Sequence, residues 1–109
     1  LPILPLSQAQ FHVLSALTEG ELDGYAIMQL VEDASGGVVR MGPATLYGTL
    51  KRLVDAGLAE ESDRRPVEDD QRRRYYRLTG QGRRACKAEA DRLEALVRRT
   101  QRNLRPGMA

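Results

Sequence analysis

One short segment carries side chains whose types and spacing suit contacts with a double-stranded polyanion. Residues 42–53, "GPATLYGTLKRL", place leucines at i, i+4 and i+7 of a helix, so these leucines must face a core. The outward or flanking positions are then Ala44, Thr45, Tyr47, Gly48, Lys51 and Arg52. Small residues let a helix lie close to a groove floor, threonine and tyrosine contact phosphates, and lysine reaches a guanine edge or a phosphate. We predict that this face binds DNA; the alternative is that Tyr47 packs against a neighbouring helix and Lys51 is ordinary surface.

A second candidate site is the arginine-rich stretch from residue 64 to residue 84, which contains eight arginines and three acids. A local basic patch of this kind attracts polyanions, nucleic acid first. The arginines predicted in a hairpin loop, where they would follow a phosphate backbone or enter a minor groove, are Arg64, Arg65, Arg72, Arg73 and Arg74. The alternatives are a solvated charge run and a loop that becomes ordered only on DNA.

A third candidate is "DGYA", residues 23–26, in the first turn of a predicted helix. Backbone N–H groups at a helix N-terminus bind anions, and Tyr25 would reach the same phosphate. The alternative is that Tyr25 is a half-buried packing residue.

Residues for enzyme chemistry are scarce. His12 and Cys86 are the single histidine and the single cysteine, and both lie among apolar neighbours, which favours core or interface positions. "GQG", residues 80–82, lacks the spacing of a phosphate-binding loop. We therefore predict that the protein is not an enzyme and needs no metal or cofactor.

The elements that position these residues follow from caps and periodicity. The predicted helices run from Ser7 to about Leu17, from about Asp23 to Ala34, from Gly42 to before Gly57, and from Thr79 to Asn103 or Leu104; the strands are 58–62 and the "YYRL" segment, with Tyr76 and Leu78 on one face. This order predicts a mainly α fold with a small β-hairpin, namely a winged helix-turn-helix plus a long C-terminal dimerisation helix. The predicted division is residues 1–78 for the DNA-binding domain and 79–109 for the dimerisation helix and tail.

The last predicted helix is about 38 Å long at 1.5 Å per residue. Its apolar stripe contains Cys86, Ala90, Leu93, Leu96, Val97 and Leu104. One small domain already has its core in the preceding elements, so a second copy of the chain is the natural cover, and we predict a homodimer. The alternative is that the stripe packs back on the first helix.

Composition narrows the class further. The 109 residues suit one small domain, with a net charge of +2 and a pI of about 9.0. No apolar run approaches the roughly 20 residues that a membrane span needs. A single cysteine excludes an intrachain disulfide, which fits a reducing compartment. We predict a cytoplasmic protein that does not contact the membrane.

Four segments in order resemble one family: "DGY" at 23–25, "GPATLYGTLKRL" at 42–53, "GL" at 57–58 and "RRRYYRLTGQGRR" at 72–84. The chain resembles the PadR family of bacterial transcriptional regulators, in its compact subfamily, from Ser7 to about Leu96. The resemblance implies a winged-helix dimer that binds operator DNA and usually represses, with Tyr25 and Tyr47 as phosphate or groove contacts. Some members of the family bind aromatic acids or flat multidrug compounds at or near the dimer interface and release DNA in response, so the resemblance also allows a small aromatic effector. Asp23 stands where the family commonly has His.

The leading hypothesis is thus a homodimeric repressor whose partners are double-stranded DNA and a second copy of itself. The third helix would lie in the major groove of a roughly palindromic operator, with the basic wing on the flanking backbone. The alternative is a winged-helix protein–protein interaction module without sequence-specific DNA binding.

Overall fold

The structure, a computed structural model, describes residues 4–63 and 73–107. Its elements, in chain order, are α1 (Gln8–Leu17), β1 (Leu22–Asp23), α2 (Gly24–Ala34), α3 (Pro43–Asp55), β2 (Ala59–Glu61), β3 (Tyr75–Leu78) and α4 (Gly80–Leu104). The predicted fold class, mainly α with a small antiparallel sheet in a winged-helix arrangement, is confirmed.

Local capping sets where the helices begin. Ser7 forms a capping box with Gln10, in which the serine Oγ accepts the Gln10 N–H at 3.1 Å and the glutamine side chain accepts the Ser7 N–H. Thr79 Oγ1 accepts the N–H of Gly82 at 2.9 Å at the start of α4. Gly42 precedes α3, and Pro43 occupies the first helical position, where its missing N–H costs nothing.

The sheet contains a strand that the sequence pattern does not predict. β1 pairs antiparallel with β3, which also pairs with β2, so β3 is the central strand. Two residues are too few to show alternation, and β1 forms because Leu22 and Asp23 come opposite Tyr76 and Tyr75 in the folded chain. The predicted hairpin is present, with Ala59 opposite Leu78.

The core joins the leucine stripe of α3 to apolar side chains of α1, α2 and the sheet. Leu46, Leu50 and Leu53 are buried, as predicted, while Tyr76 is buried and Leu78 packs against the same cluster from its edge. Gly82 lets α4 pack against the turn between α3 and β2, because a Cβ at Gly82 would lie 2.7 Å from the carbonyl carbon of Leu58.

α4 is anchored at one end and exposed at the other. Ala85 and Cys86 lie in the core of the protomer, and the accessible part of the predicted stripe begins at Ala90. The predicted place of Cys86 in a dimer interface stays a prediction. Beyond Leu93, the large apolar side chains Leu96, Val97 and Leu104 are exposed. The longest dimension of the molecule is 60 Å.

A buried charge marks the point where α4 leaves the core. Glu89 is only 1% exposed, accepts the N–H of Leu6 at 3.1 Å, and is hydrogen-bonded by the guanidinium of Arg92 at 2.6 Å. Residues before α1 are thereby tied to α4. No helix within residues 4–63 or 73–107 has the length and apolar character that crossing a membrane requires.

Candidate nucleic-acid interface

The exposed surface of α3 divides into a central ridge and two flanks. Opposite the buried leucines, Ala44, Gly48, Lys51 and Asp55 recur at i, i+4, i+7 and i+11 and form the ridge. Thr45 and Arg52 lie on one flank, and Tyr47 and Val54 lie on the other. Among the described residues, a Cβ added to Gly48 would meet no heavy atom within 4 Å, so the ridge is narrow and open at its centre.

The Tyr47 flank faces the wing. A groove of about 390 Å³ separates α3 from β2 and β3, and it is lined by Tyr47, Leu50, Lys51, Val54, Asp55, Glu61 and Tyr76. Burial raises the pKa of the Tyr76 phenol, and the nearby charge of Glu61 and the phenol of Tyr47 raise it further. The polar ridge of α3 and the wing strands therefore border the same open groove.

Tyr47 also contacts α2. A Cβ at Gly24 would lie 2.8 Å from the Tyr47 Cζ and closer still to its hydroxyl, so the phenol rests on the backbone of Gly24. The side chain of Tyr47 nevertheless keeps 46% of its surface exposed. The packing alternative for Tyr47 thus holds in part, and its predicted contact with DNA stays a prediction.

The N-terminus of α2 differs from the open anion site expected there. The Asp23 carboxylate, through Oδ1, accepts the N–H of Ala26 at 2.9 Å, so a carboxylate already occupies part of the position that a phosphate would take. Tyr25 is 72% exposed and is not the half-buried packing residue of the alternative interpretation.

Lys51 is ion-paired within α3 in the free protein. Its Nζ lies 3.1 Å from Asp55 Oδ2 one turn further along the helix, and both side chains are largely exposed. Such a pair is worth little in water, so Lys51 can exchange this carboxylate for another anion at low cost. Arg52, on the same flank of α3 as Thr45, is exposed.

The described arginines at the base of the wing lie against carboxylates. Arg73 Nε is 3.1 Å from Asp23 Oδ2, and Arg74 Nη1 is 3.1 Å from Glu61 Oε2. Arg77 bridges Glu60 at 2.8 Å and Glu21 at 3.2 Å, and the hydrogen bonds that its guanidinium donates to these two carboxylates raise the guanidinium pKa.

These acidic partners were not identified from the sequence. The pairing of Glu60 with Arg77 follows from their cross-strand register, which a hairpin prediction could have supplied. Glu21 and Asp23 come from a distant part of the chain. Arg64, Arg65 and Arg72 lie outside the described residues, so their assignment to the wing stays a prediction.

Few of the described residues are suited to metal binding or to nucleophilic catalysis. Within residues 4–63 and 73–107, no group of three or more His, Cys, Asp or Glu side chains could hold a metal ion. Burial raises the pKa of the Cys86 thiol, which disfavours the reactive thiolate.

Comparison with known proteins identifies the fold's relatives. Residues 13–88 match the model of the Transcriptional regulator PadR-like family, whose members are transcriptional regulators and not enzymes. The transcriptional regulator Rv3488 of Mycobacterium tuberculosis is 36% identical over 89 residues, which cover 82% of this chain and 78% of that protein.

Two further comparisons extend this result. An uncharacterized 37.1 kDa protein in transposon TN4556 of Streptomyces fradiae is 43% identical over 84 residues; they cover 77% of this chain but only 22% of that protein, so this chain spans about a fifth of its length. The crystal structure of Bacillus subtilis PadR in complex with operator DNA has a TM-score of 0.64 at 25% identity, over 82% of this chain and 48% of that one.

Proposed function

Because the chain belongs to the PadR-like family of transcriptional regulators, we propose that it is a cytoplasmic homodimeric repressor that reads a roughly palindromic operator. α3 would lie in the major groove and the wing would follow the flanking backbone. The observation that carries this proposal is the open groove shared by the polar ridge of α3 and the wing strands.

The side chains of α3 suit distinct contacts. Ala44 and Gly48 on the ridge let the helix approach the base edges closely, and Lys51 is the ridge residue that can donate to a guanine or a phosphate. In the major groove of DNA, the two flanks of α3 would face opposite phosphate backbones. Thr45 and Arg52 would contact phosphates of one DNA strand, and Tyr47 would contact phosphates of the other.

The wing and the start of α2 supply further cations and donors. Arg73 and Arg74 stand at the base of the wing, and Tyr25 extends a solvent-exposed phenol from α2. Arg64, Arg65 and Arg72 continue the basic run and complete the proposed backbone contact. Neutralising phosphates releases counterions, so this contact would make DNA affinity strongly dependent on salt.

Dimerisation would use the exposed side of α4. The residues proposed for it are Cys86 at the buried margin, then Ala90, Leu93, Leu96, Val97 and Leu104. Under this proposal residues 1–78 form the DNA-binding head and residues 79–109 the dimerisation helix and tail. A two-fold dimer would place its two α3 helices about 34 Å apart, in successive major grooves, and hence require a palindromic operator.

We further propose that a small aromatic effector releases the protein from DNA. Such a ligand would act by changing the angle between the two heads. It can lower DNA affinity only as far as it binds more tightly to the dimer arrangement that cannot reach both half-sites.

The test is a titration of the protein with duplexes tiled across the DNA upstream of its own gene, at two salt concentrations. We expect one fragment to bind far more tightly than the rest, with affinity falling steeply as salt rises. Light scattering should give the mass of a dimer. If no fragment binds in preference to the others and the protein instead captures a protein partner, the interaction module without sequence-specific DNA binding replaces the proposal.

A further inference from the structure

The carboxylate of Asp23 joins the start of α2 to the base of the wing. Its Oδ1 accepts the backbone N–H of Ala26 at 2.9 Å, and its Oδ2 lies 3.1 Å from Arg73 Nε. Asp23 is only 8% exposed, so water screens this ion pair much less than the pairs on the surface of β2 and β3. The contact spans 50 positions of sequence and is a tertiary connection.

This connection lies where the parts of the proposed DNA surface meet. Asp23 belongs to β1 and is opposite Tyr75 of β3, two residues after Arg73. The next residue, Gly24, is in contact with the phenol of Tyr47 from α3. Displacing the Asp23 carboxylate would therefore disturb the wing, the first turn of α2 and the contact of α3 with Gly24 together.

Arg73 is held in place but still accessible. Its side chain keeps 48% of its surface exposed while Nε is engaged by Asp23. An arginine that is free in solution loses rotamer entropy when it binds a phosphate, and an arginine that is already ordered loses less. A buried carboxylate anchored by a backbone N–H is a suitable fixed support for this purpose.

We propose that Asp23 is a positioning residue for DNA binding, which orders Arg73 at the junction of α2 and the wing so that its guanidinium neutralises one DNA phosphate. This inference rests on the proposed function. It assigns Asp23 the opposite role to Glu60 and Glu61, whose exposed carboxylates compete with DNA for the arginines that they contact. Asp23 is committed to the Ala26 N–H and stays where it is when DNA binds.

The test compares Asp23→Asn, Arg73→Ala and the double variant in the full-length protein. Asparagine caps helices as well as aspartate does, so D23N removes the ion pair and keeps the cap. We expect D23N to weaken binding to the duplex selected above by about 3- to 10-fold, with no further loss in the R73A background. The slope of log affinity against log salt should fall by about one unit in R73A and in the double variant, which both lack the cation that neutralises the phosphate.

Asp33→Asn is the matched control, because it removes a carboxylate from α2, the helix that Asp23 caps. The Asp33 residue is exposed, and its side chain accepts a hydrogen bond from the Gln29 side chain at 3.2 Å. Its salt slope should equal that of the wild type. The inference is overturned if D23N binds as tightly as the wild type or more tightly, or if its loss persists in the R73A background.

A second measurement needs no DNA. D23N should accelerate hydrogen exchange of the backbone amides of β3 in the free protein, while D33N should not. If the wild type bound no duplex, the proposed function would fail and this exchange experiment would still decide whether Asp23 holds the wing. Unchanged exchange in D23N would contradict the positioning role.

If D23N unfolds, Arg73→Gln and Arg74→Gln replace it, since they leave Asp23 in place and remove adjacent arginines. An ordered Arg73 should contribute more to affinity than Arg74, which must first leave Glu61, so R73Q should lose more. The reverse order would overturn the inference.

Discussion

The phenol of Tyr47 rests on the backbone of Gly24, so a Cβ at this position in the first turn of α2 would overlap the Tyr47 ring of α3 unless the ring moved. This contact fixes the spacing of the two helices and leaves the Tyr47 ring at the rim of the groove beside the wing.

Gly24→Ala should therefore destabilise the fold by about 1–3 kcal/mol, because the new methyl group would overlap the Tyr47 ring. Chemical denaturation measures the free energy of unfolding. Gly48→Ala is the control on the open ridge, and it should stabilise α3 by up to about 1 kcal/mol. Adding Tyr47→Ala to G24A should remove the overlap, and a double variant whose losses simply add would argue against this contact.

Lys51→Ala should weaken binding to the selected duplex by about 1–3 kcal/mol and relax the preference at one base pair of each half-site. Lys51 carries the positive charge of the ridge, and its partner Asp55 holds it only weakly. Binding to a library of duplexes with single substitutions measures both effects. An equal loss on every sequence would assign Lys51 to a phosphate.

Glu61→Gln should raise DNA affinity several-fold at low salt, because the Arg74 guanidinium would no longer be held by this carboxylate in the free protein. Anisotropy titrations at several salt concentrations measure this gain.

Arg74→Ala should lower the slope of log affinity against log salt by about one unit, and an unchanged slope would confine Arg74 to the structure of the hairpin.

Glu89→Gln should flatten the pH dependence of stability below about pH 5.5, roughly one unit above the ordinary glutamate pKa. Hydrogen bonding from Arg92 holds the pKa of Glu89 below its usual 4.5, and the Leu6 N–H adds to this effect. A carboxyl group with a lowered pKa in the folded state stabilises the protein above its unfolded pKa, and this contribution is lost as the pH falls.

Denaturant titrations across that pH range should show the wild type losing stability on acidification faster than E89Q. The Glu94→Gln variant is the control, because Glu94 forms an exposed pair with Arg98 on the same helix. Parallel curves for the wild type and E89Q would mean that Glu89 does not link α4 to the head.

If the proposed dimer forms through α4, Val97→Glu should shift the mass in light scattering from dimer to monomer, because it places a charge in the middle of the exposed apolar stripe of α4. Ala95→Glu adds the same charge about half a turn away on the helix and should leave the mass unchanged. If both variants remain dimeric, the dimer is formed by another surface.

Local signals account for what the sequence predicts well. The caps at Ser7 and Thr79 and the leucine stripe of α3 act within one or two helical turns, so the helix boundaries and the outward ridge follow from the sequence. β1 and the Asp23–Arg73 pair depend on residues about 50 positions apart, and no local pattern contains that information. Glu89 was missed for a related reason, since a carboxylate is buried only when partners such as Arg92 and Leu6 come to it.

Between Arg83 and Leu104, α4 contains neither glycine nor proline, and its first turns are locked into the head by Ala85, Cys86 and Glu89. A helix of this kind bends little, so it behaves as a lever arm whose pivot is the head itself. At a length of about 38 Å, a tilt of about 5° at one end moves the other by about 3 Å. Small rearrangements around Leu96 and Leu104 would thus move the head by a distance comparable to the spacing of a base pair.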